Sequence, residues 1–568
     1  MEEGGMMRKA LATFTVLAVI LVVFFVVLEF TGDTSADTSV GTSENVEASE
    51  STAVSFHPDG EVEQLSTLDT RRLDEQEGLE RELQKSYDEG TYTLKEPFVK
   101  LNPYNTAPLT ALAMFETDDP VKITVTVEGK DEHGDVRHSY DDYNTEHAIP
   151  VLGLYPDYDN TVTIEAVNKS GETEKSTFTV GTDPLPEDFL TNETPKSHPE
   201  KMENGLTFIV PSTRYAYAVD HNADVRWYST LWNSHVFKRL DNGHILYATK
   251  EEGQNQYNEM LEMDMLGNVY NSYLIQLDDY EDTNVVHHGI AELPNGNLLA
   301  TVHDTASPYI EDEMIEIARE TGETVRDFSF RDLFPEDFYE DYGGVFSNDG
   351  DWFHHNAIWY VEKDDSILVS SRHQDLMMKM SYPEGEVDWI LADHEKWPDA
   401  YDKYLLKPKG DDFKFPAGPH APMAMPDLDN NGATHDYLLF DNNIVITRGK
   451  DPLSGDFSRG VQYRINPEKM TVEEVWSFGE ARGKSFHSSI VGDADYLDGT
   501  GNRMMTSGYI EVDEGMNSRV IEVNDNLPAD VIYELVISGF EKESHRQAYR
   551  AERMPLYPEH EWQVELVD

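Results

Sequence analysis

The stretch Asp351-Trp-Phe-His-His-Asn-Ala-Ile358, followed by Asp365-Ser-Ile-Leu-Val-Ser-Ser-Arg-His-Gln374, contains the pattern that decides the fold. A histidine precedes a short apolar run, a turn of Asn, Asp or Gly follows, and a second apolar run rich in β-formers comes next. Five copies occur, at spacings of 53, 66, 66 and 67 residues. Their histidines are His235, His288, His354, His420 and His487. A repeat of several tens of residues built from short strands predicts a β-propeller.

A second repeat lies inside the first and predicts hairpins. An apolar strand end is followed by a polar turn and then by a β-branched residue beside an aromatic or apolar one. The copies lie at residues 217–227, 263–269, 317–325, 380–389, 465–472 and 523–531. We interpret them as the outer hairpins of six blades. The first hairpin has no histidine strand before it. We therefore expect the last apolar strand, around Ala548–Leu556, to complete its blade and close the ring.

The charge balance of the chain is strongly acidic. Among its 568 residues, 44 Lys and Arg stand against 109 Asp and Glu, so the net charge is −65. Nucleic acid is not expected as a partner, because few cations are present to neutralise phosphates. Two interpretations stay open: a surface suited to high salt or an ion-rich exterior, or an ordinary acidic protein exposed outside the cell. The sequence has no cysteine, which excludes disulfides, thiolate zinc sites and a cysteine nucleophile.

An apolar run, Ala10–Leu28, dominates the N-terminal region. As a helix it would span about 28 Å, the thickness of a hydrocarbon core. Arg8 and Lys9 precede it, so the N-terminus should be cytoplasmic. We predict a transmembrane anchor or uncleaved signal over residues 1–31, which makes this a single-pass protein of the cell membrane with the rest of the chain outside the cytoplasm. Cleavage after the run, which would give a secreted protein, stays open.

Composition divides the rest of the chain into three parts. Residues 32–95 are polar and acidic with one short helical stripe of apolar residues, which predicts a disordered tether and a short helix. Residues 96–185 contain short strands separated by turns, which predicts a small β-sandwich of immunoglobulin-like size. Residues 200–560 hold the repeats. The expected fold is all-β: a six-bladed β-propeller preceded by a small N-terminal β-sandwich domain and a transmembrane helix.

The repeated histidines are the candidate functional residues. In a propeller the first strand of each blade lines a central channel, so the imidazoles would converge there with Arg372. Strand alternation sends neighbours to opposite faces, so His287 and His288 should not both face the channel. A ring of imidazoles could hold a transition metal. No carboxylate accompanies the repeated position, however, and Arg372 would oppose a cation, so no metal or other cofactor is expected. Imidazoles with a guanidinium suit an anion, which a neutral imidazole could attack.

Several motifs in order make the chain similar to a known family. They are Tyr104-Asn-Thr-Ala-Pro-Leu-Thr-Ala-Leu112, His288, Pro294-Asn-Gly296, Trp352-Phe-His354-x-Asn356, Ser370-Ser-Arg-His-Gln374, His420, Phe440-Asp-Asn442 and Tyr549-Arg-Ala551. Over roughly residues 95–560 the chain resembles the bacterial arylsulfate sulfotransferases that work without a nucleotide sulfate donor.

The resemblance implies a six-bladed propeller behind a β-sandwich, and it implies an activity. A sulfuryl group would move from a phenolic sulfate ester to an acceptor phenol by a ping-pong mechanism through a sulfohistidine. By this resemblance His420 is the nucleophile. His288, His354 and Arg372 would bind the sulfuryl oxygens and handle the phenolate leaving group.

The resemblance also assigns two substrate-binding residues. Asn356 would be a supporting hydrogen-bond partner and Tyr549 a wall of the substrate pocket. His235 and His487 have no place in the family pattern and stay candidates for lining the channel. Members of the family often carry a disulfide and a cleaved signal. This chain lacks cysteine and a clear cleavage site, which leaves its compartment and a homodimer interface open.

Two other functions remain as alternatives. One is a non-enzymatic surface propeller whose channel binds a ligand. The combination of Arg372 with three histidines argues against it, because binding alone does not require that set. The other is a sulfatase, with water as the acceptor. The metal-dependent kind of sulfatase would need a Cys or Ser nucleophile motif that this sequence does not contain.

Overall fold

The computed structural model describes residues 62–251, 253–275, 285–303, 307–343, 350–449, 455–513, 515–541 and 546–558. In these ranges the chain has thirty-three β-strands, one α-helix and five short 3₁₀ segments. The predicted all-β class is therefore confirmed. The apolar run 10–28, predicted to be a transmembrane helix, lies outside the described residues. Among the helices of the described ranges, none is long and apolar enough to cross a membrane.

The first described elements pack against the body of the protein. Strand β1 (Ser66–Leu68) pairs antiparallel with the strand Val269–Ile275. Helix α1 (Arg71–Asp88) follows it. Arg72 makes a two-pronged ion pair with Glu259, with both N–O distances at 2.5 Å. The part of the predicted tether that the structure describes is therefore packed, and the predicted short helix belongs to it.

The N-terminal domain is built around one long strand. Its strands are β2 (Phe98–Leu101), β3 (Thr110–Val127), β4 (Val136–Ser139), β5 (Asn144–Leu152), β6 (Asp159–Asn168) and β7 (Thr173–Gly181). The first half of β3 pairs with β2 and β5, and its second half pairs with β4 and β6. The sequence suggests separate strands at 111–115 and 121–127. They are the two halves of β3, because the polar residues between them stay extended.

The remaining strands follow in chain order. They are β8 (Thr191–Ser197), β9 (Leu206–Pro211), β10 (Tyr217–Val219), β11 (Val225–Tyr228), β12 (Phe237–Arg239), β13 (Ile245–Thr249), β14 (Glu259–Met263), β15 (Val269–Ile275), β16 (Val286–Glu292), β17 (Leu298–Val302), β18 (Glu313–Ile317), β19 (Thr324–Ser329), β20 (His355–Val361), β21 (Ser366–Ser371), β22 (Leu376–Ser381), β23 (Val387–Leu391), β24 (Lys407–Pro408), β25 (Pro419–Ala424), β26 (His435–Asp441), β27 (Arg459–Asn466), β28 (Thr471–Phe478), β29 (Asp493–Leu497), β30 (Asn502–Val512), β31 (Gly515–Val523), β32 (Val531–Phe540) and β33 (Ala548–Met554). The 3₁₀ segments are Pro199–Lys201, Phe330–Asp332, Glu336–Phe338, Asp399–Tyr401 and Glu480–Phe486.

In the described part of the chain, these strands form six further sheets. Five contain four consecutive strands each: β12–β15, β16–β19, β20–β23, β25–β28 and β29–β32. The sixth has the order β11-β10-β9-β33. Short outer strands extend three of the sheets, with β1 on β15, β24 on β28 and β8 on β32. In sequence, strand β8 lies between the two predicted domains. Because it pairs with β32, it belongs structurally to the second of them.

The hairpin repeat of the sequence matches this topology. Each predicted hairpin coincides with the turn between two outer strands of one sheet. The last apolar strand joins the first sheet, as predicted, through pairing of β33 with β9. Strand β9 lies between β33 and the 217–227 hairpin, so the two predicted partners share a sheet without pairing directly.

The sheets lie against one another through their first strands. Contacts join β16 to β20, β20 to β25, β25 to β29 and β29 to β33. Strands β13, β17 and β21, each the second strand of its sheet, are buried at every position. Full burial on both faces is typical of a sheet packed between two neighbours, and it explains why these strands read as continuous apolar runs.

Candidate active site

Four of the five repeated histidines, His235, His288, His354 and His420, lie at or near the start of the first strand of a sheet, where the backbone is irregular. His235, His288 and His354 have φ angles of 56°, 23° and 53°, and Ala421, directly after His420, has a φ of 48°. The pairing register shifts at the corresponding places in β16, β20 and β25. A bulge re-aims the side chain that it carries, and such backbone conformations are costly for residues other than glycine. At His288, His354 and His420 the repeat therefore marks a bulge.

The bulges bring the predicted histidines together. The ring of His288 lies 4.9 Å from that of His235 and 5.0 Å from that of His354, centroid to centroid. His420 is buried, and the charges of Arg372 and His354 act on its imidazole. The structure thus places five predicted residues, from different strands, in one enclosed cluster.

His354 is held between two carboxylates. Its Nδ1 lies 2.9 Å from Asp351 Oδ2 and 2.7 Å from Glu311 Oε2. Burial alone would lower the pKa of His354, but the two carboxylates outweigh it and raise the pKa to about 10. The imidazole is therefore protonated at neutral pH. The expectation that no carboxylate accompanies these histidines is wrong, because the fold brings Glu311 in from a separate loop.

His420 is held by an amide instead. Its Nδ1 lies 2.6 Å from Asn442 Oδ1 and 3.1 Å from the Gly418 carbonyl oxygen. The Asn442 Nδ2 donates to the Ser488 carbonyl at 2.7 Å, which fixes the amide so that Oδ1 faces the histidine. His420 Nδ1 must therefore carry hydrogen, and Nε2 carries the lone pair. Burial, and then the charges of Arg372 and His354, hold the pKa of His420 well below its ordinary value.

His288 is the second neutral imidazole. Burial and the neighbouring imidazoles hold its pKa well below the ordinary value. Its Nδ1 lies 2.8 Å from His287 Nδ1, so these two adjacent side chains do meet. The alternation rule fails here because the bulge interrupts the strand. It holds for His355, which packs against Phe330, at 4.6 Å between rings, and away from the cluster.

Arg372 is anchored at both ends of its guanidinium. Nη1 lies 2.7 Å from His373 Nε2, and Nη2 donates to the Ser489 carbonyl at 3.1 Å. The ring of His373 stacks on His354 at 4.6 Å, and its Nδ1 donates to the Asp351 carbonyl. Burial, and then the nearby charge of His354, lower the pKa of His373 to about 3, so it stays neutral and accepts from the arginine. His373 therefore fixes Arg372 beside the imidazoles.

The two predicted substrate-binding residues lie at the edge of the cluster. Asn356 Nδ2 donates to the Pro419 carbonyl at 2.9 Å, and its Oδ1 accepts from the Ser370 hydroxyl. Its amide thus ties β20 to the strand that bears the candidate nucleophile. The Tyr549 ring lies 4.2 Å from that of His235. The remaining repeated histidine, His487, is half-buried after a 3₁₀ segment, and its charged neighbours are Asp456, Glu511 and Lys484 rather than residues of the cluster.

Sequence reasoning missed four residues of the site: Glu311, Asp351, His373 and Asn442. Three of them stand in the quoted stretches, since Asp351 opens the deciding stretch and His373 and Asn442 belong to the motifs Ser370-Ser-Arg-His-Gln374 and Phe440-Asp-Asn442. Glu311 comes from a loop without any such signal.

Two groups of side chains in the described ranges have donor atoms within 4.8 Å of one another, a spacing that metal sites share. They are His287, His288 and Glu311, and Asp351, His354 and His373. The hydrogen bonds and ion pairs described above account for both groups.

The chain is similar to known proteins over both of its folded parts. The family model described as Arylsulfotransferase (ASST) matches residues 191–550, and the one described as Arylsulfotransferase Ig-like domain matches residues 98–183. Arylsulfate sulfotransferase AssT of Escherichia coli O6:H1 is 25% identical over 516 residues, which cover 70% of this chain and 82% of the relative. The protein of the same name from Lelliottia amnigena is 25% identical over 568 residues, which cover 79% of this chain and 92% of the relative. The solved periplasmic gluconolactonase PpgL of Pseudomonas aeruginosa covers 77% of this chain and 99% of its own, at 9% identity and a TM-score of 0.27, a likeness too weak to bear on fold or function.

The first family model matches more than half of the chain, so the chain belongs to the arylsulfotransferase family. The resemblance drawn from the motifs is thereby confirmed. The protein is an enzyme, an aryl-sulfate sulfotransferase.

Proposed function

We propose that this enzyme moves a sulfuryl group from a phenolic sulfate ester to an acceptor phenol through a sulfohistidine at His420, without a nucleotide sulfate donor. Membership of the family and the printed names of the two relatives support the reaction class. One observation carries the mechanism. A neutral imidazole with its lone pair at Nε2, His420, shares an enclosed cluster with a protonated imidazole, His354.

The first half-reaction uses both imidazoles. The Nε2 lone pair of His420 attacks sulfur, an N–S bond forms, and the bond from sulfur to the phenolic oxygen breaks. The departing phenolate takes a proton from His354. A phenol has an ordinary pKa of about 10, close to that of His354, so this proton transfer is nearly balanced in energy. Arg372 and His288 stabilise the sulfuryl oxygens by charge and hydrogen bonding.

The second half-reaction reverses the first. An acceptor phenol replaces the product and gives its proton to the now neutral His354. Its oxygen attacks sulfur, the N–S bond breaks, and His420 recovers its lone pair. Positioning and electrostatics do most of the work, as in loose phosphoryl transfer. The cycle leaves every protein group in its starting state, which predicts ping-pong kinetics.

The same proposal treats the six sheets as the blades of a six-bladed propeller. Two observations support this. The first strands contact one another in chain order from β16 to β33. His235, just before β12, contacts both Tyr549 on β33 and His288 on β16, which completes the series. A closed ring explains how histidines scores of residues apart reach one place.

The N-terminal segment is proposed to anchor the enzyme. The run 10–28, with basic residues before it, supports a single membrane span that leaves the catalytic part outside the cytoplasm. Fractionation of cells that produce the full chain, followed by protease treatment of intact cells, tests this. Enzyme in the membrane fraction and cleaved from outside is expected. Enzyme found in the cytosolic fraction would rule the anchor out.

The reaction is tested with p-nitrophenyl sulfate, with and without phenol. We expect steady release of nitrophenolate with phenol present, and one equivalent per enzyme without it. Steady release without an acceptor would instead indicate a sulfatase. Binding of the ester with no release in either case would indicate a non-enzymatic binding protein.

A further inference from the structure

Asp375 is a buried acidic residue in the turn that carries Arg372. The turn joins β21 to β22, and the backbone N–H of Asp375 donates to the Arg372 carbonyl at 3.4 Å. Asp375 is 1% exposed and its φ is 51°, a left-handed conformation that residues other than glycine adopt at some cost. The catalytic steps described above do not use its carboxylate, so its burial requires a separate explanation.

The carboxylate accepts hydrogen bonds from four backbone N–H groups on two other segments. The N–H of Gly418 donates to Oδ1 at 3.0 Å. Those of Thr447 and Arg448 donate to Oδ2 at 2.7 and 2.8 Å, and that of Ile446 lies 3.0 Å from both oxygens. A carboxylate suits such a set, because it offers about four lone-pair sites and no donor. Burial raises the pKa of Asp375 to about 7, and the N–H groups oppose the rise because they bind the ionised form.

Both segments adjoin the acceptors of the candidate nucleophile. Gly418 lies two residues before His420, and its carbonyl accepts from His420 Nδ1 at 3.1 Å. Residues 446–448 follow Asn442, whose Oδ1 is the other acceptor at His420 Nδ1. The Asp375 carboxylate therefore holds the chain beside both groups that orient the imidazole.

The same carboxylate supports the arginine of the site. Burial lowers the pKa of Arg372, and the charges of Asp351 and then of Asp375 oppose that effect. A Cβ atom at Gly418 would lie 3.8 Å from Arg372 Cγ, so the peptide that Asp375 holds also lies close to the arginine. Asp375 thus connects the turn that bears the cation to the segment that bears the nucleophile.

We propose that Asp375 is a positioning residue of the sulfuryl transfer, which holds His420 and Arg372 in the mutual geometry that attack on sulfur requires. This rests on the proposed function. A displacement of about 1 Å between reacting groups can cost about a hundredfold in rate. Loss of the carboxylate therefore slows the chemical step and leaves the binding of the donor nearly unchanged.

The first half-reaction isolates this step. Enzyme is mixed with p-nitrophenyl sulfate without acceptor, and the burst of nitrophenolate is followed by stopped flow at several donor concentrations. In Asp375→Asn the N–H groups of the new amide would face backbone N–H groups, and we expect the maximal burst rate to fall about ten- to a hundredfold. The donor concentration at half-maximal rate should change little, and the burst should still reach one equivalent per folded enzyme.

Asp264→Asn is the matched control. Asp264 is also buried and also accepts backbone N–H groups, from Leu266 at 2.8 Å and from Asn268 at 3.1 Å, and burial raises its pKa to about 7 as well. It lies in the outer hairpin between β14 and β15, away from the first strands that bear the histidines. The burst rate per folded enzyme should stay near that of the wild type, whatever the change in stability.

Asp375→Gly guards against a folding defect, because glycine adopts a φ of 51° without strain. It should show the same slow burst as Asp375→Asn. A wild-type burst rate in the folded Asp375 variants, or an equal fall in Asp264→Asn, would overturn the proposal. If the wild-type enzyme gives no burst, the proposed function fails. If it bursts and the Asp375 variants match it, only the role of Asp375 fails.

Discussion

His354 and His420 occupy corresponding places on neighbouring sheets and differ in charge. Each stands at a bulge where the first strand of its sheet begins. Two carboxylates face Nδ1 of His354, whereas the fixed amide of Asn442 faces Nδ1 of His420. The first imidazole therefore holds a proton and the second keeps a lone pair. In the proposed mechanism, the partner at Nδ1, rather than the residue type or the backbone, decides which histidine acts as acid and which as nucleophile.

Removal of the nucleophile should have the largest effect. His420→Asn keeps a polar side chain without an attacking nitrogen, and we expect transfer from p-nitrophenyl sulfate to fall by roughly 10⁴-fold or more. His487→Asn is the matched control, since that histidine belongs to the same repeat but lies outside the cluster. A residual rate near that of the wild type would assign the nucleophile to another group.

Exchange of the amide for a carboxylate should make His420 resemble His354. In Asn442→Asp the new charge favours the imidazolium and raises the pKa of His420. The rate should acquire an acid limb and fall by a factor of about ten per pH unit below the new pKa. Asn442→Leu is neutral and should slow the enzyme without an acid limb. pH–rate profiles of the three proteins check this, and coincident profiles for the Asp and Leu variants would contradict it.

Loss of the support behind Arg372 should be smaller. His373→Phe keeps a ring against His354 but loses the acceptor for the guanidinium, a charge-assisted hydrogen bond. We expect a fall of about ten- to a hundredfold in rate. His373→Gln, whose side-chain oxygen can accept from Arg372, should recover part of it. In an Arg372→Ala background the Phe change should have little further effect. Independent, multiplying effects would show that His373 does not act through the arginine.

Removal of one carboxylate should have the smallest effect at neutral pH. The pKa of His354 is raised to about 10, so its protonated form is present below that pH and is lost above it. Asp351→Asn or Glu311→Gln lowers this pKa, and the alkaline fall of the rate should move down by about 1–3 pH units. Glu323→Gln, an exposed glutamate in a turn, is the control. An unmoved alkaline limb would mean that His354 is not the group that titrates.

Much of the fold could be predicted from the sequence, because its repeats are local. The hairpin signal combines a polar turn with flanking apolar residues and needs no distant partner, and the predicted hairpins match the outer strands. Elements without a local signal were harder to predict. Strand β8 is polar and forms only because β32 offers it an edge. Strand β3 stays one continuous strand because β5 pairs with its first half and β6 with its second half.

The histidines and the arginine of the site were predictable from the sequence, but the residues that set their protonation were not. The motifs identify His288, His354 and His420, since each stands at the repeated position. They cannot show that Glu311, from a loop before β18, reaches His354, or that a bulge turns His287 toward His288. The protonation states follow from those contacts, which arise only when separate segments pack together.

The most direct test is the chemical state of His420 after exposure to donor alone. The enzyme is mixed with phenyl sulfate without acceptor, quenched at alkaline pH and digested, and its peptides are analysed by mass spectrometry. We predict one sulfuryl group on the peptide that contains His420, and its loss when phenol is added before the quench. An unmodified His420, or a sulfuryl group on a different residue, in enzyme that has released phenol would contradict the mechanism.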